Sequence, residues 1–122
     1  MPSTNEALPD CVVKCAAIYG GVSTGEQKKA LRLGVEVAVA TPGRLVDLIR
    51  KKSTNCSRVT YLVLDEADKM FNMGFEPQVR ALVGQMRPDR QTLLFSATFK
   101  RNIELLAREI CRDPVKITVG KK

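Results

Sequence analysis

Histidine and tryptophan are both missing from the 122 residues, and aromatic side chains make up only 5% of them. With so few aromatics, the core must rest mainly on Val, Leu, Ile and Ala. The four cysteines, Cys11, Cys15, Cys56 and Cys111, form no CxxC pair. Cys11 and Cys15 are separated by three residues, but two ligands with no imidazole to join them do not make a tetrahedral zinc site. So few cysteines read as reduced thiols of an intracellular protein rather than as a disulfide framework. No apolar run approaches the ~18 residues that a membrane span needs, and no signal peptide opens the chain. These absences point to the cytosol or the nucleus.

What is present is ordinary globular material, 44% hydrophobic and 27% charged, in a length that suits one modest domain. Lys and Arg outnumber Asp and Glu by 20 to 13, a net charge of +7. Such a surplus suits a polyanion, because each cation near a phosphate displaces condensed counterions. Scattered basic residues also simply keep a small domain soluble. The small clusters at Lys28-Lys29, Arg50-Lys51-Lys52 and Lys100-Arg101 do not locate a binding face.

Residues 1–10 carry two prolines and several polar residues and read as a loose lead-in to a domain over residues 11–120. Within it, residues 12–19 are apolar enough for a strand, and Gly20-Gly21 ends it. Thr24-Gly25-Glu26-Gln27 opens a helix with a capping-box pattern. Residues 35–40 form a second, β-branched strand of the kind covered on both faces. Thr41-Pro42 then starts a helix with Thr as N-cap and Pro at the first helical position, and Leu45, Leu48 and Ile49 give it a buried stripe. A third buried strand covers 59–64. Helix follows from Asp65, with a break near Gly74 and Pro77. Residues 92–95 make a fourth strand, Phe99, Ile103, Leu106, Ala107 and Ile110 the inner face of another helix, and residues 115–119 a fifth strand. Regular alternation predicts an α/β fold, a parallel sheet of about five strands flanked by helices. In such sheets the working residues gather beyond the carboxyl ends of the strands, and the polar clusters of this sequence fall there.

Tyr61-Leu62-Val63-Leu64 delivers Asp65 and Glu66 at a strand end. Such a pair suits nucleoside triphosphate hydrolysis. One carboxylate holds a hydrated Mg²⁺, and the next orients or deprotonates the attacking water. An acidic first helical turn would give the same pattern. Thr41-Pro42-Gly43-Arg44 puts free N–H groups, a close-approach glycine and a guanidinium at a helix N-terminus, where an anion is favoured; a plain N-cap with a surface Arg is the alternative. Gly20-Gly21 offers bare backbone amides or a simple turn. The hydroxyls of Ser96 and Thr98 suit caps for the helix that follows. Phe71, Met73 and Phe75 read as packing residues rather than a base-stacking platform.

Taken together these residues resemble a known family. Asp65-Glu66-Ala67-Asp68 is similar to motif II of the DEAD-box RNA helicases. Ser96-Ala97-Thr98 is similar to motif III, Thr41-Pro42-Gly43-Arg44 to motif Ib, and Gly20-Gly21 to the GG element, all in the family's order. Arg87-Pro88-Asp89-Arg90-Gln91-Thr92 adds a resemblance to nuclear, splicing-associated members, which slightly favours the nucleus over the cytosol. The resemblance implies part of the first RecA-like, P-loop NTPase domain of an ATP-dependent RNA helicase, which couples ATP hydrolysis to RNA unwinding or remodelling. It implies ATP and Mg²⁺ as cofactors, with Asp65 on the metal through water and Glu66 as the catalytic base. It also implies that Ser96 and Thr98 bond toward Asp68 and couple nucleotide state to RNA. Gly20, Gly21, Thr41, Pro42, Gly43 and Arg44 would grip the RNA backbone, and a second RecA-like domain would be the partner. No G-x-x-x-x-G-K-[ST] loop occurs, so the strand leading into it is absent and the chain alone is not expected to hydrolyse ATP. A free-standing, non-catalytic RNA-binding or regulatory module from a truncated gene product stays open as the alternative. By resemblance, the absent strand would lie between the fourth and fifth strands, so the isolated chain is expected to be marginally folded or to self-associate.

Overall fold

The computed structural model describes residues 13–120. The lead-in over 1–10, Cys11 and the start of the first expected strand lie outside the described residues. Two compact units divide the chain, Met1–Asn55 and Cys56–Lys122.

In the first unit, strand β1 (Cys15–Ile18) pairs in parallel with β2 (Val37–Ala40), Cys15 opposite Val37 and Ile18 opposite Ala40. Helix α1 (Gly25–Leu33) connects them and α2 (Pro42–Arg50) follows. Successive β1 side chains point to opposite faces, and only Ala16 and Ile18 are buried. They pack with Leu48 of α2, and Ala30, Leu31, Val35 and Leu45 close the cluster.

In the second unit, β3 (Tyr61–Leu64) pairs in parallel with β4 (Gln91–Leu94), Tyr61 opposite Gln91 and Leu64 opposite Leu94. Helices α3 (Ala67–Asn72), α4 (Glu76–Gly84) and α5 (Arg101–Ile110) complete it. Leu64, Val79, Leu106 and Ile110 form its core, with Leu62, Met70, Phe71, Val83, Leu94 and Cys111 packed against them. The expected break falls at Gly74, whose φ of +78° a β-carbon would oppose, and Pro77 sits in the first turn of α4.

Several expectations need correcting. The described residues hold four strands, as one parallel pair in each unit. Residues 115–119 are β-branched at alternate positions but form no strand. Val115, Ile117 and Val119 are 83, 81 and 91% exposed. β-Propensity describes how well a side chain fits a paired, half-buried surface, and no described strand pairs with these residues. The second strand is not covered on both faces, since all four of its residues are exposed; Tyr61 and Val63 of the third are exposed as well. Met73 is exposed and lies outside the core of its unit. The capping box at Thr24 does not form. Thr24 takes helical backbone angles and makes no side-chain cap, and the Gln27 side chain that would complete the box is engaged elsewhere.

Candidate functional site

At the carboxyl ends of β3 and β4 the backbone ladder continues for one step beyond the strands. Phe95 N–H donates to the Leu64 carbonyl at 2.8 Å, and Ala67 N–H to the Phe95 carbonyl at 3.0 Å. Between these anchors the chain turns sharply at Asp65-Glu66. Glu66 takes the left-handed conformation, φ 54° and ψ 46°, which costs a non-glycine residue about 1–3 kcal/mol. Its amide donates to Asp65 Oδ1 at 2.9 Å, and its carboxylate lies 3.5 Å from Lys69 Nζ. Both carboxylates are exposed.

The first amides of a helix lack intrahelical partners, and in α3 the residues after β4 supply them. The Asp68 amide donates to Ser96 Oγ at 3.2 Å. In return, Thr98 donates to Asp68 Oδ2 twice, from its amide at 3.1 Å and from its hydroxyl at 3.0 Å. Asp68 Oδ1 accepts the Lys69 amide at 3.0 Å. Burial by itself pushes the Asp68 carboxyl up. The bonds from the Thr98 hydroxyl, the Lys69 and Thr98 amides and the Ser96 hydroxyl outweigh it and hold the group below its ordinary range. Asp68, Ser96 and Thr98 are thus brought together as expected. The two hydroxyls do not cap the helix that follows, because the N-cap of α5 is Lys100 and carries no side-chain cap.

At the carboxyl ends of β1 and β2 the second cluster assembles. Thr41 N–H extends the ladder to the Ile18 carbonyl at 2.9 Å, and Thr41 is extended, with Pro42 opening α2. Thr41 makes no side-chain cap, so the amides of Gly43 and Arg44 in the first turn have no intrahelical acceptor. Arg44 Nη1 donates to the Val22 carbonyl at 3.0 Å, which ties α2 to the turn at Gly20-Gly21. Gly21 has φ +83°, whereas a β-carbon added at Gly20 would meet nothing within 4 Å.

Sequence reasoning missed Gln27. Its Nε2 donates to the Tyr19 carbonyl at 3.0 Å and its Oε1 accepts from Arg44 Nη1 at 3.2 Å. The one available signal was a polar residue on the inner face of an amphipathic helix.

Asp65 fits a hydrated Mg²⁺, which keeps several waters and takes one or two carboxylates along with phosphate oxygens. The carboxylate stands exposed at a strand end with one oxygen engaged by the Glu66 amide. Among the described residues no group of three or more Cys, Asp or Glu converges in the manner of a closed metal cage. Burial pushes the Cys56 and Cys111 thiols up, and Cys15, Cys56 and Cys111 are free thiols. No described helix is long and apolar enough to cross a membrane.

Residues 3–106 match the sequence model of the DEAD/DEAH box helicases. The DEAD-box ATP-dependent RNA helicase 24 of Oryza sativa subsp. japonica is 60% identical over 109 residues, 89% of this chain and 14% of that protein. Among solved structures, a DEAD box protein from the hyperthermophile Methanococcus jannaschii aligns with TM-score 0.79 and 41% identity, over 85% of this chain and 28% of its own. The yeast DEAD-box splicing factor Prp28 aligns with TM-score 0.78 and 36% identity, over 89% and 26%. The fold of this chain is thus part of a RecA-like domain, and the chain belongs to the DEAD/DEAH box helicase family.

Proposed function

We propose that residues 11–120 form part of the first RecA-like domain of an ATP-dependent RNA helicase, which couples ATP hydrolysis to unwinding or remodelling of RNA. The observation that carries this reading is the reciprocal bonding of Asp68 with Ser96 and Thr98, two residues beyond the Asp65-Glu66 pair. A strand end that carries hydrolytic carboxylates is thereby tied to a second strand end, as coupling requires. Asp65 would hold Mg²⁺ through water, and the metal would supply charge neutralisation for the transferred phosphoryl group. Glu66 orients and deprotonates the attacking water. Asp68 anchors Thr98 and Ser96.

Gly20, Gly21, Thr41, Pro42, Gly43 and Arg44 hold the RNA backbone through amides and a guanidinium, which makes binding largely independent of base sequence. A second RecA-like domain completes the ATP and RNA sites, and the likeness to a splicing factor favours a nuclear setting. ATPase measurement with and without RNA tests the reading. A full-length helicase carrying this segment should be RNA-stimulated and this chain alone silent; RNA-independent turnover in the full-length protein would overturn it.

For the RNA grip, Arg44→Ala should weaken binding to the same degree across unrelated sequences and lower the salt slope by about one. Fluorescence anisotropy over a salt series measures both. An unchanged affinity and slope would remove Arg44 from the interface.

Self-association of the isolated chain is a further expected outcome. β2 is exposed at every residue and 115–119 remain unpaired, and such edges and apolar positions invite pairing with another copy. Light scattering should find oligomers that grow with concentration. A monodisperse monomer with a sharp, concentration-independent thermal transition contradicts this.

A further inference from the structure

Gln27 is the only polar residue buried among the described residues, at 7% exposure. A leucine or methionine would fill the same space, so packing does not require an amide there. What the amide contributes is two hydrogen bonds, to the Tyr19 carbonyl and from Arg44 Nη1, while the same Nη1 reaches the Val22 carbonyl. The two anchored carbonyls bracket Gly20-Gly21. A two-glycine turn is conformationally loose, and nothing packs within 4 Å of where either β-carbon would stand. These bonds therefore hold the turn in place of side-chain packing, and they fix the guanidinium in the same act.

We infer that Gln27 is a positioning residue for the RNA-backbone grip: it locks the Gly20-Gly21 turn to Arg44, so that bare amides and guanidinium are presented as one preformed surface. The inference rests on the RNA reading of those residues given above. Buried polar networks of this kind rigidify a unique arrangement when every member is satisfied, and a preformed site binds with less ordering penalty.

The test is RNA-stimulated ATPase in a full-length helicase carrying this segment, with uniform single-stranded RNA as the probe. Gln27→Leu should raise the half-saturating RNA concentration about three- to tenfold, the scale of one or two lost hydrogen bonds. Turnover at saturating RNA should stay within about twofold. In an Arg44→Ala background the same change should raise it by less than about twofold, because the partner is already gone. Gln27→Glu retains an acceptor for Arg44 and should lose less than Gln27→Leu. A purely structural glutamine would instead lower the thermal midpoint and leave the RNA requirement unchanged, or give equal penalties in both backgrounds; either result overturns the inference. An unaltered protein with no RNA stimulation overturns the RNA reading beneath it, which keeps the two failures apart.

Discussion

Replacing Glu66 by Gln in a full-length helicase carrying this segment should lower ATP turnover by at least about 10²-fold, the usual scale for a lost general base, while ATP binding persists. The substitution is close to isosteric. It keeps the backbone amide that bonds Asp65 Oδ1, and so leaves the Asp65 carboxylate where it is. What it removes is the capacity to take a proton. It also breaks the contact with Lys69, an exposed pair of a type that contributes little to stability, so unfolding does not account for the loss. Steady-state hydrolysis and nucleotide binding, measured on the same preparation, give the comparison. Turnover close to that of the unaltered enzyme would leave Asp65 as the only working carboxylate and end the assignment of Glu66.

The second large effect is expected at the other strand end. Changing Ser96 and Thr98 together to Ala deletes the acceptor of the Asp68 amide and one of the two bonds that Thr98 donates to its carboxylate. The Thr98 amide still reaches Asp68 Oδ2, and neither Asp65 nor Glu66 is altered. Duplex separation should therefore fall at least about tenfold, while ATP hydrolysis falls less than about threefold, since hydrogen bonds to charged groups are among the stronger ones. Strand-displacement and ATPase assays on one preparation read the two activities, and a circular dichroism melt controls for folding. A strictly proportional fall would mean that the pair supports hydrolysis itself rather than its transmission.

Much of this arrangement was legible from residues alone. Apolar spacing located α2 and α5, and Gly74 with Pro77 marked the break between α3 and α4. The order of the polar clusters along the chain placed them at strand ends, because in a parallel sheet each strand must finish on the same side. Partnership was harder to read. Thr24 and Gln27 have the spacing of a capping box, yet Gln27 turns to Tyr19 and Arg44, contacts made across eight and seventeen positions that no local pattern encodes. The valines of β2 and of residues 115–119 look buried from composition. Burial depends on what lies opposite, and these side chains remain exposed. Ser96 and Thr98 have the chemistry of caps, and Ser96 does serve a helix amide, but that of α3, some 28 residues back.

Position 66 also poses a conflict of sequence choice. Its left-handed backbone would be held with less strain by glycine or asparagine, so folding alone would exchange the glutamate. Beyond the weak exposed pair with Lys69, it is the proposed catalytic role that favours a carboxylate there. A library screened for stability and one screened for turnover would thus diverge at this single residue, the first drifting toward Gly or Asn and the second returning to Glu.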